Sequence, residues 1–129
     1  MAELKVLGEI DERALRVEFG VLQSAEVIVT EERIRHIQER HPRDVELFEL
    51  YGQVTIAEPD IIVKDMKNEG TVFMIKHLPE CNINVVVRLA LETEEKELKN
   101  SVMTFYRIRT KNLVKLLRKN KEIYRKEII

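Results

Sequence analysis

Apolar and polar positions alternate most regularly between Ile83 and Leu91. Ile83, Val85, Val87, Leu89 and Leu91 share one side, and Asn84, Val86, Arg88 and Ala90 share the other, which is the period of a strand. Asp60 to Asp65, Thr71 to His77 and Ser101 to Ile108 are further strand candidates, separated by turn-like or charged segments of the length that suits antiparallel hairpins. In the second of these, Lys76 falls with Val72 and Met74, opposite Phe73 and Ile75.

Upstream the period lengthens. Val27-Ile28-Val29 is a short β-branched run, and Thr30 after it is placed to cap a helix over Glu31 to His41, with Glu31 and Glu32 in the first turn. Pro42 ends that helix. Asp44 then caps a second helix, with Val45, Leu47, Phe48, Leu50, Tyr51 and Val54 as its apolar face, running to about Ala57 before Pro59 closes it. Thr110 caps a last helix whose buried stripe is Leu113, Val114, Leu116, Leu117 and Tyr124. At the start of the chain, Leu4 to Glu9 and Ala14 to Gly20 alternate in part around Asp11-Glu12-Arg13 and predict a hairpin. The sum is an α+β fold of N-terminal helices, a four-stranded antiparallel β-meander and a C-terminal helix.

A length of 129 residues suits one domain over 1–129, with residues 1–25 as an N-terminal hairpin extension. Hydrophobic residues at 44% and charged residues at 35% exclude a disordered chain, and the apolar runs are too short to cross a bilayer, so no membrane partner is expected. The N-terminus lacks the pattern of a secretory signal, and the single Cys81 forms no internal disulfide, so cytoplasm is the default compartment. A net charge of -1 conceals an asymmetry. From Arg107 onward nine basic residues face only Glu122 and Glu127, a local charge of +7, which leaves -8 for the rest. Such a run is most often the solvated face of a helix, and less often a surface for a polyanion.

Two of the three histidines lie in His36-Ile37-Gln38-Glu39-Arg40-His41-Pro42. Histidine titrates near neutrality and can both take and give a proton. At helical spacing His41 continues the face of Ile34 and Ile37, whereas His36 and Arg40 share another face, so the two imidazoles are not equivalent. Singly, each is more often a packed or a surface residue; their clustering with Arg40 raises the functional reading to about even. His77-x-x-x-Cys81 does not have the spacing of a zinc site, and no metal is expected. Glycine-rich phosphate loops and nucleophile elbows are absent.

Taken in order, Val27 to Thr30, His36-Ile37-x-x-Arg40-His41-Pro42, Pro59-Asp60, Val85-Val86-Val87 and Asn100-Ser101-x-x-Thr104 resemble the phage-associated nuclease families of the barnase/EndoU/colicin/RelE-like (BECR) superfamily. The resemblance spans roughly residues 26 to 120, the nuclease-like core. It implies a metal-independent endoribonuclease without cofactor, associated with phages or toxins. RNA would be its substrate, and an immunity or antitoxin protein a candidate partner.

Cleavage of this kind uses the 2'-hydroxyl as nucleophile and leaves a 2',3'-cyclic phosphate, which requires a base, an acid and a cation at the phosphate. The resemblance implies His36 or His41 as base or acid, with Arg40, Ser101 and Thr104 completing the catalytic set. Lys76, Arg88 and Tyr106 are then substrate-binding residues, Tyr106 by stacking on a base. In a regular strand Ser101 and Thr104 face opposite sides, so both serve only if a bulge intervenes or Ser101 lies at the strand's start.

Structural roles compete with these. Lys76 and Arg88 could pair with the acidic loop of Glu92, Glu94, Glu95 and Glu97, and Asn100-Ser101 could make a turn. A noncatalytic RNA- or protein-binding module with the same fold is the alternative function, favoured by near neutrality of the whole chain. The nuclease reading with these residues requires His36, His41, Arg88 and Ser101 to converge on one cleft, and fails if they scatter over separate faces.

Overall fold

The computed structural model describes residues 4–126. In chain order the elements are β1 (Leu4–Glu9), α1 (Glu12–Phe19), β2 (Glu26–Thr30), α2 (Glu31–Arg40), α3 (Pro42–Ala57), β3 (Ile61–Lys64), β4 (Thr71–His77), β5 (Asn82–Arg88), β6 (Asn100–Ile108), α4 (Thr110–Lys119) and β7 (Lys121–Arg125). The strands form one sheet in the order β1-β2-β6-β5-β4-β3-β7. No helix among the described residues is long and apolar enough to cross a membrane.

The four expected strands do pair consecutively and antiparallel, β3 with β4, β4 with β5 and β5 with β6. They form the centre of a larger sheet. A four-stranded antiparallel meander preceded by helices is therefore corrected to a seven-stranded mixed sheet with four helices, in which β2 and β6 run parallel through Val27↔Asn100 and Ile28↔Ser101.

The N-terminal hairpin does not form. Residues 1–3 lie outside the described residues, but Ala14 to Phe19 is helical and β1 pairs with β2. Asp11 caps α1 by accepting a hydrogen bond from the Arg13 backbone N–H at 3.0 Å. Leu15 is wholly buried while Val17 is 96% exposed; in a strand these two would share a face, whereas a helix turns them apart. At the other end, Asn120 stops α4. Its Nδ2 donates to the Leu116 carbonyl at 3.0 Å and its Oδ1 accepts from the Met66 N–H at 2.9 Å. The chain then turns into β7 against β3, so Tyr124 packs from a strand and not from the last turn of a helix.

Strand parity divides the core into two layers. Val72, Met74, Val85, Val87, Val102 and Phe105 meet Leu15 of α1, Ile37 of α2 and Phe48 and Ile56 of α3 on one face. Ile61, Val63, Ile75 and Ile108 meet Leu113 of α4 on the other. Lys76 lies on the first face, as its parity requires, and donates to the Glu58 carbonyl at 2.6 Å.

In β6 the register slips, since Val86 faces Thr104 but Val87 faces Val102. This bulge returns both Ser101, opposite Arg88, and Thr104 to the second face, which resolves the parity conflict seen in the sequence.

Candidate functional site

His41 sits at the corner between two helices. It ends α2, where its N–H donates to the Ile37 carbonyl at 2.6 Å, and it precedes Pro42, the first residue of α3. Proline disfavours helical angles in the residue before it, which places the break at the histidine. The ring is about half exposed, and Asp44 lies behind it with Oδ2 3.9 Å from Nδ1, too long for a hydrogen bond but within ion-pair range.

Asp44 is buried and held from β6. It accepts from Arg107 Nε at 2.6 Å and from the Arg107 backbone N–H at 3.3 Å. That N–H is free because β2 pairs with β6 only at Asn100 and Ser101, after which the chain leaves the sheet as α2. The carboxylate thus satisfies an open strand edge and fixes a guanidinium beside the histidine.

An open cleft of about 540 Å³ lies here, lined among others by His41, Asp44, Glu80, Asn82, Arg107 and Arg109. α4 begins at its rim with no side-chain cap, so its first N–H groups add positive potential to the two arginines. The Tyr106 ring lies 6.3 Å from the His41 ring. Its hydroxyl accepts from Asn84 Nδ2 at 3.1 Å, which leaves the hydroxyl hydrogen free to donate.

Tyr106 itself lines a second, shallower groove of about 800 Å³ with Phe73, Val86, Arg88, Met103 and Thr104. Arg88 is bound up in the fold. It pairs with Glu94 at 2.6 Å, donates to the Leu89 carbonyl, and packs so closely on Gly70 (φ +77°) that a Cβ there would lie 2.0 Å from Nη1. Pairing with the acidic loop is thus the role Arg88 plays, with Glu94 as the partner.

Hydrogen bonding from the Leu91 N–H, then from Arg88, holds the Glu94 carboxyl below its ordinary value. A lowered carboxyl contributes stability that is fully present above the unfolded pKa, near 4.5, and is lost as pH falls through the lower folded value. Glu94→Gln is therefore expected to flatten the loss of stability as pH falls below about 5, measured as urea midpoints against pH.

The remaining sequence candidates scatter. His36 is exposed in a separate shallow pocket with Thr30, Glu32 and Arg33. Arg40 is exposed in the last turn of α2. Lys76 lies on the first face of the sheet but not among the residues that line the His41 cleft, bound to the Glu58 carbonyl and 4.0 Å from Asp60. Ser101 and Thr104 share the second face with Arg88, and Ser101 Oγ donates to the Lys99 carbonyl at 3.1 Å. The required convergence of His36, His41, Arg88 and Ser101 is not met.

Asn100 is no turn residue either. It is wholly buried, accepts from the Ala90 N–H and donates to the Ser24 and Glu26 carbonyls, tying β5's end to β2. His77 Nδ1 lies 2.7 Å from Asn82 Oδ1. Among the described residues no three or more His, Cys, Asp or Glu side chains are grouped to hold a metal ion.

Sequence reasoning missed Arg107, Arg109 and the part Asp44 plays. The His41–Asp44 spacing of three is the one signal that pointed there, since residues so spaced share a helix face. Compared with protein-family models, with curated proteins and with solved structures, the chain matches none.

Proposed function

We propose that this chain is a metal-independent endoribonuclease of the BECR type, with its centre at the His41 cleft and not at a pair of histidines. The observation that carries the reading is a half-exposed imidazole backed by a buried carboxylate that itself holds an arginine at the cleft wall. The carboxylate lies on the Nδ1 side of the ring, and Nε2 is the nitrogen assigned to act on substrate.

In the reaction the 2'-oxygen forms a bond to the adjacent phosphorus while the bond from phosphorus to the 5'-oxygen breaks. A base takes the 2'-hydroxyl proton, and the leaving oxygen receives one. His41 serves one of these transfers, and Glu80, an exposed carboxylate that lines the same cleft, serves the second. Arg107 spends Nε on Asp44, which leaves its terminal nitrogens for phosphate oxygens; Arg109 and the start of α4 add to the same field. Tyr106 offers a ring face to a base and a hydroxyl donor toward the second groove.

The test is incubation of purified protein with single-stranded RNA in excess chelator. Cleavage that persists supports the proposal, and cleavage that disappears and returns with added metal overturns it.

The scatter of His36, Lys76 and Arg88 favours a second reading, a noncatalytic RNA- or protein-binding module of the same fold. RNA binding with a steep salt dependence and no cleavage would support it. An immunity or antitoxin protein would be its partner, or the nuclease's, and co-purification would reveal one.

A further inference from the structure

Lys111, Lys115, Arg118 and Lys119 recur at helical steps of four, three and one along α4, on the side away from the buried Leu113 and the half-buried Leu116 and Leu117. All four are exposed, and among the described residues none enters an ion pair. Of the other cations of this region, Arg107 is paired with Asp44, Lys121 with Glu18 and Arg125 with Glu122. From Arg107 to Lys121 no acidic residue occurs in a chain that holds 23 of them. A solvated helix stabilised by its own charge pairs interleaves both signs at steps of three and four. This stripe keeps one sign. It starts at the cleft, where Arg109 and Thr110 are lining residues, and Lys111 to Lys119 covers about 12 Å at 1.5 Å per residue.

We infer that this stripe is a docking track for the backbone of a single-stranded polynucleotide that continues out of the His41 cleft. The inference rests on the proposed nuclease reading only for what happens in the cleft. Protein interfaces are poor in lysine and rich in aromatic side chains at their centres. The stripe has no aromatic residue, and Val114 is its one exposed large apolar neighbour. Flexible ammonium groups without an apolar anchor suit phosphates contacted in sequence, without base readout. A substrate several nucleotides long would therefore bind through both cleft and track, and a very short one through the cleft alone.

The triple variant Lys111→Gln, Lys115→Gln, Arg118→Gln keeps good helix formers at exposed positions. Binding is measured to a 2'-O-methyl RNA of roughly twelve nucleotides, which cannot be cut, between about 50 and 200 mM salt. The slope of log affinity against log salt is expected to fall by about 2, from three contacts at about 0.7 each, with at least tenfold weaker binding at the lowest salt. Cleavage of a trinucleotide is expected to be unchanged.

Slope and affinity within twofold of the parent protein would overturn the track. So would an equal loss in the control Lys5→Gln, Arg16→Gln, Lys96→Gln, which removes the same charge elsewhere. Equally tight binding of polyglutamate to the parent protein would reassign the stripe to an acidic protein. If no RNA is cut at all, the nuclease reading fails while the binding comparison still decides the track.

Discussion

His41→Ala is expected to lower RNA cleavage by roughly 10²- to 10⁴-fold, the range lost with a positioned acid or base. His36→Ala is expected to leave the rate unchanged. The two residues lie five positions apart in one motif, so the contrast separates geometry from composition. His41 stands at the cleft with Asp44 behind it, whereas His36 opens onto another pocket with Thr30 and Arg33. Both rings are on the surface, and both variants are expected to unfold within about 0.5 kcal/mol of the parent protein, as exposed substitutions usually do. Single-turnover rates with matched unfolding curves give the comparison. Equal loss in both variants, or in neither, would remove His41 from its assigned role.

Phe105→Ala is expected to destabilise the protein by about 3–5 kcal/mol. Phe105 is 2% exposed and stacks on Phe48 with ring centroids 4.0 Å apart and planes 13° from parallel. The contact joins β6 to α3. It holds the two elements that carry the site, since Asp44 stands in the first turn of α3 and Tyr106 and Arg107 follow Phe105 directly. Alanine would remove a stacked ring and leave a cavity that neighbours on a sheet fill poorly. A urea midpoint shift with unchanged slope is the expected record, and a loss below about 1 kcal/mol would show that this pair does not anchor the layer.

Local patterns carried much of the fold. Thr30 caps α2 as its spacing required, accepting from the Arg33 N–H at 3.0 Å, and β3 to β6 follow the alternation of apolar residues. What was not legible is pairing at long range. β2 is too short for its period to name a partner, and its parallel contact with β6 joins residues far apart in sequence. The alternation of Ala14 to Gly20 misled because Val17, apolar by type, is solvent-exposed.

The same limit governs the site. Lys76, Arg88 and Asn100 stand where a motif would place functional groups, yet each is tied to a fold contact of its own. Asp44 and Arg107 carry no motif, because they meet only when the β2-side edge of β6 is left open beyond Ser101. The bulge that aligns Ser101 with Thr104 adds one residue to one strand, a change to which period counting is blind.

Attack by the 2'-hydroxyl in the His41 cleft is tested most directly by the chemistry of the new ends when purified protein cuts a defined single-stranded RNA in excess chelator. Attack by the 2'-hydroxyl predicts a 2',3'-cyclic phosphate on one product and a free 5'-hydroxyl on the other, and no cut where the nucleotide 5' to the break is 2'-deoxy. A 5'-phosphate on the product, or cleavage that proceeds past the deoxy position, would contradict the account.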